Sequence, residues 1–278
     1  MANTNPLTTK RAYADLADGT QTHYRICGAG QPVILLHPSP LSSDFMLPLS
    51  LSLGAQFLVI APDTAGYGNS DPLANPTDDL TSYVEWLASF MDALQLERAA
   101  IYGSATGAQL GIEFAAKYPQ RVTKLVLDNA AHFEPEQRDA IIDGYLPDLS
   151  PRADGSHLQQ VWEIANGLYQ WFPWYQQDDK HRIAPAPPPV AVMHATAMEY
   201  LRAGPDYGRA YRAAFYNERA ERIQRLTVPV AIVRSPSSLL KKYTDAFDNF
   251  AWDDNVKMAP CGPTIEERYA AIAQVISH

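Results

Sequence analysis

Apolar residues fall into short unbroken runs, punctuated by clusters of Gly, Pro, Asp and Ser. Pro32-Val-Ile-Leu-Leu36 and Phe57-Leu-Val-Ile-Ala61 are apolar at every position, the pattern of a strand buried on both faces of a parallel sheet. Ala99–Tyr102 and Val230–Val233 read the same way, and Val122–Leu127, interrupted by Thr123 and Lys124, reads as a further largely apolar strand. Upstream, RAYADLA and QTHYRIC within residues 11–28 predict two antiparallel strands turned at Asp18-Gly19, a strong hairpin signal, which would form one sheet edge. A helix is predicted from about Ser82, where Val84, Leu87, Ala88, Met91 and Leu94 share a face and Ser82 and Glu85 are spaced as a capping box. A second is predicted over Thr106–Tyr118. Strands alternating with helices in this way predict an α/β fold, a mostly parallel sheet with helices on both sides.

The stretch AAIYGSATGAQLGIEFAAKYPQRVTKLVLDN is a strand, a tight turn of small residues, a helix and a second strand. Gly103 and Gly107 stand two positions either side of Ala105, the spacing of a nucleophile elbow, in which a sharp turn lifts one side chain above the sheet. Small residues are required where strand and helix backbones nearly touch. The residue at the apex is Ala105, whose methyl group cannot attack a carbonyl.

Four segments, LLHPSPLSS, APDTAGYGNSD, the stretch around the elbow and VPVAIVRSPSS, occur in the order in which the chain resembles the α/β-hydrolase fold family. The resemblance spans roughly residues 11–133 and 226–278. It implies a core domain of residues 1–133 and 226–278, with an inserted helical cap at 134–225 over the active site. The cap segment is rich in aromatics, and Trp162, Trp171 and Trp174 are taken as candidate lining of a substrate pocket, against the alternative that they form the cap's own core. The run Ala184-Pro-Ala-Pro-Pro-Pro-Val190 reads as an extended connector.

The family's catalytic side chains come in the order nucleophile, acid, histidine. Here the nucleophile falls on Ala105. The acid's stretch is Arg234-Ser-Pro-Ser-Ser238, without a carboxylate, and Pro263 stands where the histidine should be. One alanine could be a substitution made to trap a ligand, but three independent losses argue for a natural departure from the triad. Thr106-Gly107 is also similar to relatives with an H-T-G elbow. What the resemblance leaves is the oxyanion hole, whose donors would be the backbone N–H groups of Ser39 and Thr106. The acid–base candidates are His37 at the mouth of the site, His132 at the carboxyl edge of the sheet, and Asp154 with His157 at the start of the cap, where the carboxylate could orient the imidazole. For each, a bracing or solvated role is the blander account. Asp63 and Asp71 read as braces of the loop after the fourth strand.

Composition narrows the partners. The chain has 278 residues, enough for one large domain with an insertion, and a net charge of −9, which argues against nucleic acid or an anionic membrane. Two cysteines, Cys27 and Cys261, give neither metal-ligand spacing nor a disulfide framework. With no signal peptide or membrane-spanning run in the sequence, a cytoplasmic address is expected by default. The partner expected is a small-molecule substrate, with no cofactor and no metal; a homodimer is the one macromolecular assembly considered.

The function expected is that of an atypical enzyme on a small apolar or aromatic carbonyl compound. It would use the oxyanion hole and a histidine for lyase, cyclase or decarboxylase chemistry, without a serine nucleophile. A non-catalytic ligand-binding pseudoenzyme, and an ordinary hydrolase with its elbow residue replaced by alanine, are the competing readings.

Overall fold

The computed structural model describes residues 7–278. Two strands, β1 (Lys10–Asp15) and β2 (Gln21–Cys27), form the expected antiparallel edge, followed by β3 (Pro32–Leu36), α1 (Leu47–Leu53), β4 (Leu58–Pro62) and α2 (Thr81–Ala93). Next come β5 (Ala99–Ser104), α3 (Thr106–Lys117) and β6 (Val122–Asp128). Five helices intervene before the sheet resumes: α4 (Pro135–Tyr145), α5 (Ser156–Gly167), α6 (Val190–Ala203), α7 (Gly208–Asn217) and α8 (Ala220–Gln224). The chain closes with β7 (Val230–Arg234), α9 (Lys241–Thr244), β8 (Val256–Pro260) and α10 (Ile265–Ser277).

The eight strands lie in the order β1-β2-β4-β3-β5-β6-β7-β8, and every pairing from β4 to β8 is parallel. Each parallel crossover carries its helix to one face or the other, so the central strands meet no solvent. Val33, Ile34, Leu35 and Leu36 of β3 are all fully buried. Ile34 and Leu36 join the cluster under α2 and α3, whereas Val33 and Leu35 join the one under α1 and α10. Each such aliphatic stabilises the fold by roughly 1.5–3 kcal/mol relative to an exposed position.

One local expectation is corrected. Helix α2 begins at Thr81 with Leu80 before it and no side-chain cap, because the Ser82 hydroxyl is instead paired with Thr77 (3.1 Å from its N–H, 3.0 Å from its Oγ1). The capping box belongs to α10, where Thr264 and Glu267 bond reciprocally.

The helices α4–α8 cover the carboxyl ends of β3, β5 and β6. They pack through two aromatic clusters, one of which reaches the core at Phe133 and Tyr243. Among the described residues no helix is long and apolar enough to cross a membrane. Both cysteines are free.

Candidate functional site

The turn between β5 and α3 depends on its two glycines. A Cβ on Gly107 would lie 2.2 Å from the Leu36 carbonyl oxygen, and one on Gly103 2.3 Å from the Gly107 oxygen, so neither position admits a side chain. Between them Ala105 has φ 48° and ψ −113°, a conformation that costs a non-glycine residue about 1–3 kcal/mol. It is held there from both sides: its N–H donates to the Asp128 carbonyl (2.9 Å), and its own carbonyl accepts from Ala108 (2.8 Å) and Gln109 (3.1 Å).

Above the elbow lies a cavity of about 150 Å³, roughly the size that holds a benzene ring in other proteins. Ser39, Ala105 and Thr106 line its floor. Among the described residues the N–H groups of Ser39 and Thr106 have no hydrogen-bond acceptor, and the two hydroxyls are likewise buried without a partner. Its walls are Phe133, Tyr145, Phe172, Tyr200, Tyr211 and Phe215. None of the three tryptophans expected here lines it. The Trp174 indole N–H donates to the Tyr145 carbonyl (2.9 Å), Trp171 lies under the Arg182 guanidinium (5.2 Å), and Trp162 packs on the second cap cluster. Their indoles pack among the helices α4–α8, while tyrosines and phenylalanines of α4, α6, α7 and the connecting segments line the cavity.

The histidine candidates are also placed elsewhere. His37 is 1% exposed; its Nε2 accepts from the Thr64 N–H (2.8 Å) and its Nδ1 pairs with the Pro38 carbonyl (3.0 Å). Both nitrogens are therefore committed to the loop, and burial lowers its pKa. His132 pins cap to core: Nδ1 accepts from the Ala220 N–H (3.0 Å), Nε2 faces Glu134 (3.2 Å), and the ring packs on Phe250. His157 accepts from the Arg152 N–H (3.1 Å), while Asp154 is exposed and accepts from the Ser156 N–H (3.0 Å). Gly155, at φ 75°, turns the chain between them, so the carboxylate does not orient the imidazole.

The residues where the family's pattern has its acid and its histidine make other contacts. Ser238, in the acid's loop, donates to the Asn129 Oδ1 (2.6 Å), and Asn129 in turn faces Ser104 (3.4 Å). Asp245 is tied to Arg234 (2.7 Å) and Lys241. At the histidine's place the chain runs into the cap of α10. The carboxylate at the end of β6, Asp128, is occupied as well, accepting from the Tyr102 hydroxyl (2.7 Å) and from both Nε (2.9 Å) and Nη2 of Arg268. This pair lines a second cavity of about 560 Å³, which shares Ser104, Asn129, Tyr169 and Thr196 with the first. Asp63 is a brace, as expected. Burial alone would raise its pKa, but bonds from His23 (2.8 Å), the Ser43 N–H (2.7 Å) and the Asn69 N–H (2.9 Å) hold it down at about 2. Asp71 accepts from the Gln21 N–H (2.9 Å).

The sequence reading missed Glu218. It follows α7, is 5% exposed, lines the cavity, and its Oε2 has no partner. Burial pushes its pKa up to about 8, against the opposing pull of the Ala131 N–H. The only signal in the sequence was a glutamate close behind the apolar and aromatic residues of Tyr211-Arg-Ala-Ala-Phe-Tyr216, which does not by itself reveal burial.

Residues 31–233 match the family model of the alpha/beta hydrolase fold, and the chain belongs to that family. It is 33% identical over 139 residues to 2-hydroxy-6-oxo-2,4-heptadienoate hydrolase of Pseudomonas putida, covering 48% of this chain and 50% of that one. It is 29% identical over 137 residues to cis-3-alkyl-4-alkyloxetan-2-one decarboxylase of Shewanella oneidensis, covering 48% and 40%. The chain thus matches half or less of the length of these curated relatives. In structure it is similar to a serine-to-alanine mutant of the meta-cleavage product hydrolase of Pseudomonas fluorescens IP01, with a TM-score of 0.65, 21% identity, and coverage of 96% and 97%. That last likeness is one of fold.

Proposed function

We propose that this protein is an α/β-hydrolase-fold enzyme that takes a small apolar or aromatic carbonyl compound and acts on it by oxyanion and acid–base chemistry, of lyase, cyclase or decarboxylase type, with no covalent intermediate at the elbow. The observation that carries this reading is the strained elbow with unpaired Ser39 and Thr106 N–H groups beneath a largely aromatic cavity. Two preorganised donors on buried residues favour an oxygen that gains negative charge, and their low exposure strengthens them. Acid–base work by His37, His132 or His157 is not favoured, since none lines the cavity. The name of one relative, an oxetanone decarboxylase, lends the substrate class support. A cytoplasmic protein with a small-molecule partner fits this use.

The test is conversion of neutral aromatic β-hydroxyketones and β-lactones, followed by mass spectrometry. Conversion that disappears in Ala105→Leu, whose side chain would fill the cavity floor, is the expected result. Tight retention of such compounds without conversion would instead favour a ligand-binding pseudoenzyme, the reading supported by the replacement of all three triad positions. Ester turnover on restoring a serine through Ala105→Ser would favour an ordinary hydrolase.

A further inference from the structure

We infer that Glu218 is the catalytic group that removes and returns the proton on the carbon next to the carbonyl of an uncharged substrate. The inference rests on the carbonyl-cavity reading above and assigns both its proton carrier and the charge of its ligand.

Three carboxylates in the described chain are buried: Asp63, Asp128 and Glu218. The first two are saturated by hydrogen-bond donors, Asp63 by His23 and two backbone N–H groups and Asp128 by Tyr102 and Arg268. Glu218 has no cation, and its Oε2 is bare. A buried polar atom left unpaired costs roughly 1–3 kcal/mol, so a position that keeps one calls for a ligand or a reaction as its explanation.

Its place over the elbow is fixed by its neighbours. Asn217 donates to Gln109 (3.0 Å), a residue of the first turn of α3, and the Glu218 carbonyl accepts from the Phe133 N–H (3.1 Å). The side chain is thereby held on the wall of the same cavity whose floor carries Ser39 and Thr106. The titratable groups against it are the phenols of Tyr145 on α4 and Tyr211 on α7, both held far above the ordinary tyrosine range by burial, so neither competes for the proton below pH 10. Arg219, next in sequence, is paired with Glu221.

No lysine, arginine or histidine lines this cavity. A carboxylate ligand would lose its water there without gaining a counter-ion, whereas a ketone, aldehyde or lactone would lose little. The step then balances without any further reactant. The ionised form of Glu218 takes the proton from the α-carbon. The C–H electron pair becomes a C=C bond, and the carbonyl π pair moves onto the oxygen held by the Ser39 and Thr106 N–H groups. Return of the proton from the Glu218 carboxyl reverses the flow.

The experiment uses the whole chain with acetophenone in D₂O, following exchange of its methyl protons by NMR and its binding by saturation-transfer NMR, with benzoate as the charged comparison. Exchange above the uncatalysed rate is expected, rising as pH climbs toward and past 8, with benzoate binding at least ten-fold more weakly. Glu218→Gln should keep binding and lose about 10²-fold or more of the exchange rate. Glu218→Asp should retain the pH dependence at a reduced rate. Acetophenone bound without exchange, or exchange undiminished in a folded Glu218→Gln, would overturn the assignment of Glu218 and leave the carbonyl cavity standing. If acetophenone does not bind at all, the cavity reading falls and the inference with it.

Discussion

The elbow after β5 and the loop after β8 differ in how far each follows the residue pattern of the α/β-hydrolase fold family. The elbow keeps its glycines, its helix start and a strained apex at φ 48°, even though the residue under strain is an alanine. In the β8–α10 loop Pro263 stands where the family's pattern has a histidine, and Thr264 and Glu267 form a helix cap. Strain persists only where the surrounding structure over-determines it, and here the Asp128 carbonyl and the first turn of α3 do so. In the function proposed above, the retained elbow serves to present the Ser39 and Thr106 N–H groups to an oxygen, without a proton relay to a serine.

The largest expected effect that would break this contrast is at the retained end. Gly107→Ala places a methyl 2.2 Å from the Leu36 oxygen and should cost on the order of 4 kcal/mol or leave no folded protein, read from the urea midpoint. Next is the pH dependence of stability. Glu218 has a folded pKa of about 8 against an ordinary 4.5, so between those values the native state holds a proton that the unfolded chain has released. Its contribution is fully present below pH 4.5 and is lost as pH rises through 8, on the order of 5 kcal/mol in all at about 1.4 per pH unit. Glu218→Gln should flatten that part of the stability curve and melt higher than the parent at pH 8. At the abandoned end, Thr264→Ala should cost only about 1 kcal/mol and leave ligand binding untouched, as befits a cap. Smallest is Ala105→Gly, which relieves the apex strain and should stabilise by roughly 0.5–1 kcal/mol, since the flexibility of glycine in the unfolded chain offsets part of the gain.

Much of the fold could be read from the residues because it rests on local signals. The unbroken runs PVILL and FLVIA can only be strands covered on both faces, and the Gly103/Gly107 spacing announces a close backbone approach. The misplaced helix cap shows where such signals end: Ser82 and Glu85 have the right spacing, but Thr77, five residues away, claims the hydroxyl. The site was less legible for the same reason. Asp154 and His157 are neighbours in sequence, yet one takes the Ser156 N–H and the other the Arg152 N–H. Trp171 and Trp174 have the composition of a pocket, but the Trp171 ring face is taken by Arg182 and the Trp174 N–H by the Tyr145 carbonyl. Glu218 is marked out only by its burial beside Tyr145 of α4 and Tyr211 of α7, and no spacing along the chain encodes that.

The central claim is that the elbow still binds a carbonyl oxygen, and the most direct measurement is the infrared stretch of ¹³C=O-labelled acetophenone bound to the full chain. Two hydrogen bonds from the Ser39 and Thr106 N–H groups should pull the band to or below its frequency in water. A band at the frequency seen in an apolar solvent would show a bound carbonyl with no donors on it, and would contradict the account.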